Sequence, residues 1–286
     1  MLDDMKYKIP FVNSVNLQSS EKRKIQAIRY EENSDGPIIS VPHGGLWLPD
    51  KFASFYKITP DCLREIEPYT DRLYKFKGFQ IISKFPPFVV DLNRRIGRDS
   101  RVPAHLQNDP LHYVSVKDKL LLAKPLTEEA KKELLTYYDI YHSMLRTAIS
   151  RMKEKHGFAL LIDGHSMESK GARAVIDKGR TRSDFVVGTL HDSSAHPGII
   201  NSFCTALGSV SHKVTRNIPY AGGYITRLYN DPANDIHVIQ LETRMSLFMH
   251  EWNEEKPFTL KKGFKNIHRL ISTAIRSAWE KAEELY

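Results

Sequence analysis

Two histidines in this chain follow short apolar runs and sit beside glycines. His43 stands in Pro42-His43-Gly44-Gly45 after Pro37-Ile38-Ile39-Ser40-Val41. His165 stands in Asp163-Gly164-His165-Ser166-Met167 after Phe158-Ala159-Leu160-Leu161-Ile162. Apolar runs of that length read as buried strands, and the glycines behind them as turns. Open α/β sheets bind ligands at the carboxyl ends of their strands, so two strand-end imidazoles far apart in sequence can meet at one metal centre. Hydrolytic zinc sites use three protein ligands and keep a fourth position for water; two histidines and one carboxylate would serve. No helical His-Glu-x-x-His motif is present. Asp71, in Tyr69-Thr70-Asp71-Arg72, reads by itself as a helix cap or a partner of Arg72. Asp163 either orients His165 from behind or satisfies a turn.

Other residue types suit the same chemistry. In Val238-Ile239-Gln240-Leu241-Glu242-Thr243-Arg244, alternation puts Val238, Gln240 and Glu242 on one face. A carboxylate late in a strand is costly to bury unless paired, so Glu242 either pairs with Arg244 or serves as a general base on an activated water. Phe88-Val89-Val90-Asp91-Leu92 leads into Asn93-Arg94-Arg95, and arginine grips carboxylates with two parallel hydrogen bonds. The loop Asn217 to Arg227 carries Gly222-Gly223, whose bare backbone lets a ligand approach. Ser166 lacks the Gly-x-Ser-x-Gly elbow and would need His191 or His196 as a distant partner, so serine chemistry ranks below metal chemistry.

These residues need elements to hold them. Strands are expected at 37–41, 79–83, 87–92, 158–162, 185–190, 211–215 and 237–243, after an irregular start over residues 1 to about 36. Thr127 is a helix N-cap with Glu128 and Glu129 in the first turn. Leu134, Tyr138, Tyr141, Leu145, Ile149 and Met152 then form one apolar stripe, stopped by Gly157. A last helix runs from about 260 to 285, with Ile267, Leu270, Ile271, Ala274 and Ala278 inward. The stretch from about 96 to 124 is either a lid over the site or a plain surface loop. Strands interleaved with helices give an α/β fold, a single domain over residues 1–286 with a mixed twisted β-sheet flanked by helices on both faces.

Composition narrows the class. The chain has 286 residues, 41% apolar and 27% charged, which is ordinary for a globular protein. No segment reaches the roughly 18 apolar residues of a membrane span, and the start lacks the layout of a signal peptide. Two distant cysteines, Cys62 and Cys204, fit a reduced cytoplasmic protein and cannot build a cysteine-rich zinc site. The net charge of +8 is spread among acids without a dense basic tract. Neither nucleic acid nor membrane is therefore expected as a partner; a collection of arginines for a small anionic substrate is.

Taken in order, six stretches resemble the N-formylglutamate amidohydrolase family: Ser40 to Gly45, Thr70 to Tyr74, Val90 to Arg94, Asp163 to Met167, Asn217 to Arg227 and Gln240 to Glu242. The resemblance spans about 37 to 250. It implies a zinc-dependent hydrolase with a fold like the zinc carboxypeptidases and aspartoacylase-type deacylases, holding one Zn2+ per chain. It assigns His43 and His165 as metal ligands, Glu242 as base, and Asn93 with Arg94 as the carboxylate clamp, joined by Arg95 or Arg227. Carboxypeptidases place a glutamate three residues after the first histidine; here that residue is Leu46. The third ligand must come from elsewhere, with Asp71 first choice and His191 in reserve. The implied substrate is a small anionic N-acyl amino acid, N-formyl-L-glutamate foremost, with Asn217, Gly222 and Gly223 lining its site.

Overall fold

The computed structural model describes residues 28–97, 109–112, 120–171, 177–209, 211–251 and 258–286. Seven strands form one mixed sheet in the order β1-β3-β2-β4-β7-β5-β6. They are β1 (Ile28–Glu31), β2 (Ile38–Val41), β3 (Phe79–Ser83), β4 (Ala159–Met167), β5 (Phe185–Gly188), β6 (Val214–Arg216) and β7 (Ile236–Arg244). Strands β3, β2, β4 and β7 run parallel; β1 and β5 pair antiparallel to their neighbours β3 and β7. Four longer helices accompany them: α1 (Glu128–His156), α2 (Pro197–Gly208), α3 (Tyr224–Tyr229) and α4 (Phe264–Leu285).

Strand β4 shows how both faces are covered, because neighbouring residues of a strand point to opposite sides. Asp163 accepts from Ser40 Oγ (2.9 Å), which meets the hydroxyl of Tyr141 on α1 (2.9 Å). Gly164 faces the other way, onto the ring of Tyr74, at the end of a single helical turn (Thr70–Leu73) that packs on α4. The apolar stripe of α1 is buried throughout, with Thr127 accepting from Ala130 N (3.2 Å) at its start and Gly157 left-handed (φ 78°) at its end. The α4 positions expected inward are also buried.

The structure corrects three sequence expectations. The start of the chain supplies an edge strand, β1, whose register with β3 buries Ile28. The stretch 87–92 is not a strand: Pro86 and Pro87 bring no N–H to a ladder, and Val89 and Val90 turn back to donate to Pro86 O (3.0 and 3.4 Å). The Asp-Gly-His-Ser segment is not a turn, since β4 continues to Met167 and pairs with β7 along its whole length. Gly164 is there because a Cβ would lie 2.6–2.8 Å from Tyr74 ring carbons. Most of the expected lid (98–108 and 113–119) and most of the irregular start (1–27) lie outside the described residues.

Candidate metal centre

The carboxyl ends of β2, β4 and β7 bring the site together. His43 follows β2, while His165 on β4 and Glu242 on β7 are register partners. Glu67 completes the group. Its backbone N–H donates to His43 O (3.2 Å), and its carbonyl accepts from Thr70 Oγ1 (2.7 Å), which draws the segment over the strand ends. One ligand atom each from His43, Glu67 and His165 lies within 4.8 Å of the others, and all three residues are buried.

Each member is held from behind. His43 Nε2 donates to Asp91 Oδ1 (2.7 Å), and His165 Nε2 faces both Asp163 Oδ2 (3.2 Å) and the Asn93 amide Nδ2 (3.0 Å). Glu67 Oε2 accepts from Ser166 N (2.7 Å). The Nδ1 atoms of both rings then face Glu67 Oε1, at 2.8 Å for His43 and 3.1 Å for His165. In the tautomer that donates to Asp91 and Asp163, neutral rings would point two lone pairs at a carboxylate oxygen. Three acceptors converging on one point need protons or a cation between them. Two imidazoles and a carboxylate are a zinc donor set, and carboxylates behind the rings are the usual support for one. The residues therefore fit a divalent cation.

The electrostatics agree. Burial works against a charged His43, but the Asp91 and Glu67 carboxylates outweigh it and raise its pKa to about 9. Burial would raise Glu67, yet His165 and His43 hold it down at about 2. Glu242 differs: burial, reinforced by the Glu67 charge, pushes it up to about 7 against the pull of His165, His43 and Arg182. A carboxyl poised near neutrality suits proton transfer. Gln240 Nε2 donates to Glu242 Oε1 (2.9 Å), while Gln240 Oε1 accepts from Gly223 N (2.6 Å), linking Glu242 to the glycine loop.

A cavity of about 390 Å³ opens over this group. Its walls include Asn93, Arg94, Gly222, Gly223, Arg227 and Glu242 from the sequence reading. Asn93 Oδ1 accepts from Ile225 N (2.7 Å), and a Cβ on Gly223 would lie 2.4 Å from the Asn93 amide. Tyr138 OH and His142 Nε2, both on α1, donate to Arg94 O (2.9 Å) and Leu92 O (3.0 Å) and brace the Asn-Arg turn. Arg94 Nε pairs with Asp91 Oδ2 (3.4 Å), so one carboxylate serves both His43 and the arginine.

Four expected positions fall elsewhere. Asp71, expected as third ligand, is corrected: it pairs with Arg29 (3.4 Å) at a half-exposed surface, and Glu67 stands in the group instead. His191 is exposed and outside the group. Arg95 is exposed and outside the cavity wall. Asn217 supports the fold, its Oδ1 accepting from Thr189 N (2.9 Å) and His191 N (3.2 Å) beside three successive left-handed residues, 190–192. Sequence reasoning missed Glu67, Arg64, His112 and Arg182 on the cavity wall. The available signal for Glu67 was an acid between Ile66 and Pro68, four residues before the one chosen.

The model of the family described as N-formylglutamate amidohydrolase matches residues 37–249. The chain belongs to the N-formylglutamate amidohydrolase family. An N-formylglutamate deformylase of Pseudomonas putida is 32% identical over 236 residues, 78% of this chain and 84% of the relative. Another, from Pseudomonas aeruginosa, is 27% identical over 253 residues, 82% and 88% of the two chains. The crystal structure of the N-formylglutamate amidohydrolase of Ralstonia eutropha shares the fold, with a TM-score of 0.76 at 23% identity over 89% of this chain and 97% of that one. A gene product of Agrobacterium tumefaciens shares it at a TM-score of 0.62 and 18% identity, over 90% and 97%.

Proposed function

We propose that this protein hydrolyses the amide of an N-acyl acidic amino acid, foremost N-formyl-L-glutamate to formate and L-glutamate. The observation that carries the reading is the His43–Glu67–His165 group beside a buried Glu242 in one cavity. The deformylase names of the Pseudomonas relatives support the substrate.

His43, Glu67 and His165 would hold one zinc per chain. Bound there, zinc supplies the Lewis acidity that brings a water's pKa to about 7 and polarises a carbonyl. Glu242 takes a proton from the attacking water as its oxygen bonds to the formyl carbon. It then passes that proton to the nitrogen as the C–N bond breaks, leaving formic acid and an amine, and the acid's proton moves to the amine to give formate and the ammonium form of glutamate. Gln240 keeps the Glu242 carboxylate turned toward the cavity. Arg94 grips a substrate carboxylate, and Arg227, exposed at the mouth, attracts the anion.

Metal analysis of the purified protein, with a panel of N-formyl and N-acetyl amino acids, tests this reading. About one zinc per chain and a preference for formylglutamate are expected. Glu242→Gln is expected to keep the metal and lose roughly 10²- to 10⁴-fold in kcat. A variant that turned over at the wild-type rate would remove Glu242 from the base role, and a metal-free active protein would remove the metal centre.

A further inference from the structure

Arg94, Arg64, Arg182 and Arg227 line the cavity, and they differ in how they are held. Arg64 and Arg227 are exposed. Arg182 is 7% exposed and held by three hydrogen bonds and a ring contact. Its Nε and Nη2 donate to the two oxygens of Asp177 (2.7 and 3.1 Å), and its Nη1 donates to Glu168 O (3.3 Å). Its guanidinium lies 5.1 Å from the Tyr220 ring centre. A guanidinium has five N–H groups. Those three bonds use three, which leaves one N–H on each terminal nitrogen of a residue that lines the cavity. Two such donors in a fixed plane match the two oxygens of a carboxylate.

The sheet explains why this arginine reaches the site. Because β5 is antiparallel to β7, its leading end meets the carboxyl end of β7. Phe185 pairs with Thr243, Arg244 N donates to Asp184 O (2.9 Å), and Arg244 Nη1 donates to Arg182 O (2.9 Å). Across β2, β4, β7 and the approach to β5, the order is His43, His165, Glu242, Arg182. Arg94 is tied through Asp91 to His43, the far member of that order from Arg182. The two carboxylates of an acidic amino acid diverge from one Cα, so its amide can face the metal group while the carboxylates reach toward both flanks.

We propose that Arg182 is the residue that selects a second, side-chain carboxylate, making the enzyme specific for acidic amino acids while Arg94 takes the α-carboxylate. The inference rests on the amidohydrolase reading of the site and adds its specificity determinant. N-formyl-L-glutamate and N-formyl-L-glutamine differ only in that side-chain charge, so their kcat/KM ratio isolates it. In the metal-loaded enzyme, Arg182→Met is expected to lower the ratio 10- to 100-fold through KM for formylglutamate. Arg182→Lys, which keeps the charge and loses the fork, should recover part of it. Arg94→Met should depress both substrates together and leave the ratio. A folded Arg182→Met enzyme with the wild-type ratio overturns the proposal. Calorimetric binding of L-glutamate against L-glutamine gives a readout without turnover. A wild-type protein that hydrolyses neither substrate yet binds glutamate selectively through Arg182 would sink the reaction and keep the specificity site. No preference for glutamate in either assay sinks the specificity site alone if hydrolysis is seen.

Discussion

Glu67 and Asp71 stand four residues apart, and exchanging each for its amide separates the proposed metal centre from its surroundings. Glu67→Gln keeps the shape of the side chain. Its amide oxygen can still accept from Ser166 N, now 2.7 Å from Glu67 Oε2, so the fold should survive. The new NH2 group would then face the two imidazole Nδ1 atoms that Glu67 Oε1 faces at 2.8 and 3.1 Å. It can donate to their lone pairs, filling the group with protons where the wild type offers a charged ligand. Removing a residue that only supports a ligand costs about 10- to 100-fold in metal affinity, so losing a ligand itself should exceed about 100-fold. Asp71→Asn breaks a half-exposed pair with Arg29, worth roughly 0–1 kcal/mol, and should leave affinity unchanged. The assay is competition for zinc against a chromophoric chelator, with melting curves in parallel. Zinc at about 1,000 times its Kd stabilises the wild type by about 4 kcal/mol, and Glu67→Gln should lose that rise. Tight zinc binding by Glu67→Gln, or its loss in Asp71→Asn, would refute the assignment of the third ligand.

Two further expectations concern the framework. His142 is 2% exposed; its Nε2 donates to Leu92 O and its Nδ1 accepts from Tyr229 OH (2.7 Å), and burial lowers its pKa from 6.5 to about 4. The folded state thus binds fewer protons than the unfolded one between these values, so this contribution is whole above pH 6.5 and fades as pH falls toward 4. It amounts to on the order of 3 kcal/mol. A His142→Gln variant should show a shallower loss of urea stability over that window, and an identical pH slope would count against it. Gly164→Ala puts a Cβ into the Tyr74 ring, whose hydroxyl meets His165 O (2.7 Å), Leu241 O (2.9 Å) and Thr243 Oγ1 (2.8 Å). Overpacking of that kind costs about 1–3 kcal/mol, and a Tm within a degree of wild type would contradict the close approach.

The glycine also shows where local reasoning stops. A glycine between an apolar run and a histidine has the same letters whether it makes a turn or sits in a strand beneath an aromatic ring. Only the position of Tyr74, 90 residues earlier in the chain, makes it the second. The Phe88–Leu92 run is similarly deceptive: every residue is buried as a strand would be, but after the pair of prolines its carbonyls meet side chains, Val89 O taking Tyr56 OH and Leu92 O taking His142 Nε2, rather than a neighbouring strand.

What the sequence by itself determined is the part written in residue type and short-range period. The α/β class, the buried stripes of α1 and α4, and His43, His165, Glu242 and Asn93-Arg94 as candidates are legible there, because apolar periodicity, polar residues at the ends of apolar runs and the order of short family-like stretches are signals in the letters. The tertiary structure decided which acid joins the histidines and which arginine is pre-set in the wall. Tyr69, left-handed at φ 66°, lies between Glu67 and Asp71; one acid turns into the site and the other out to Arg29, and nothing in the letters announces a left-handed tyrosine. Arg182 reaches the cavity only because β5 runs against β7, and strand direction is set by pairing across the whole sheet rather than by any residue near it.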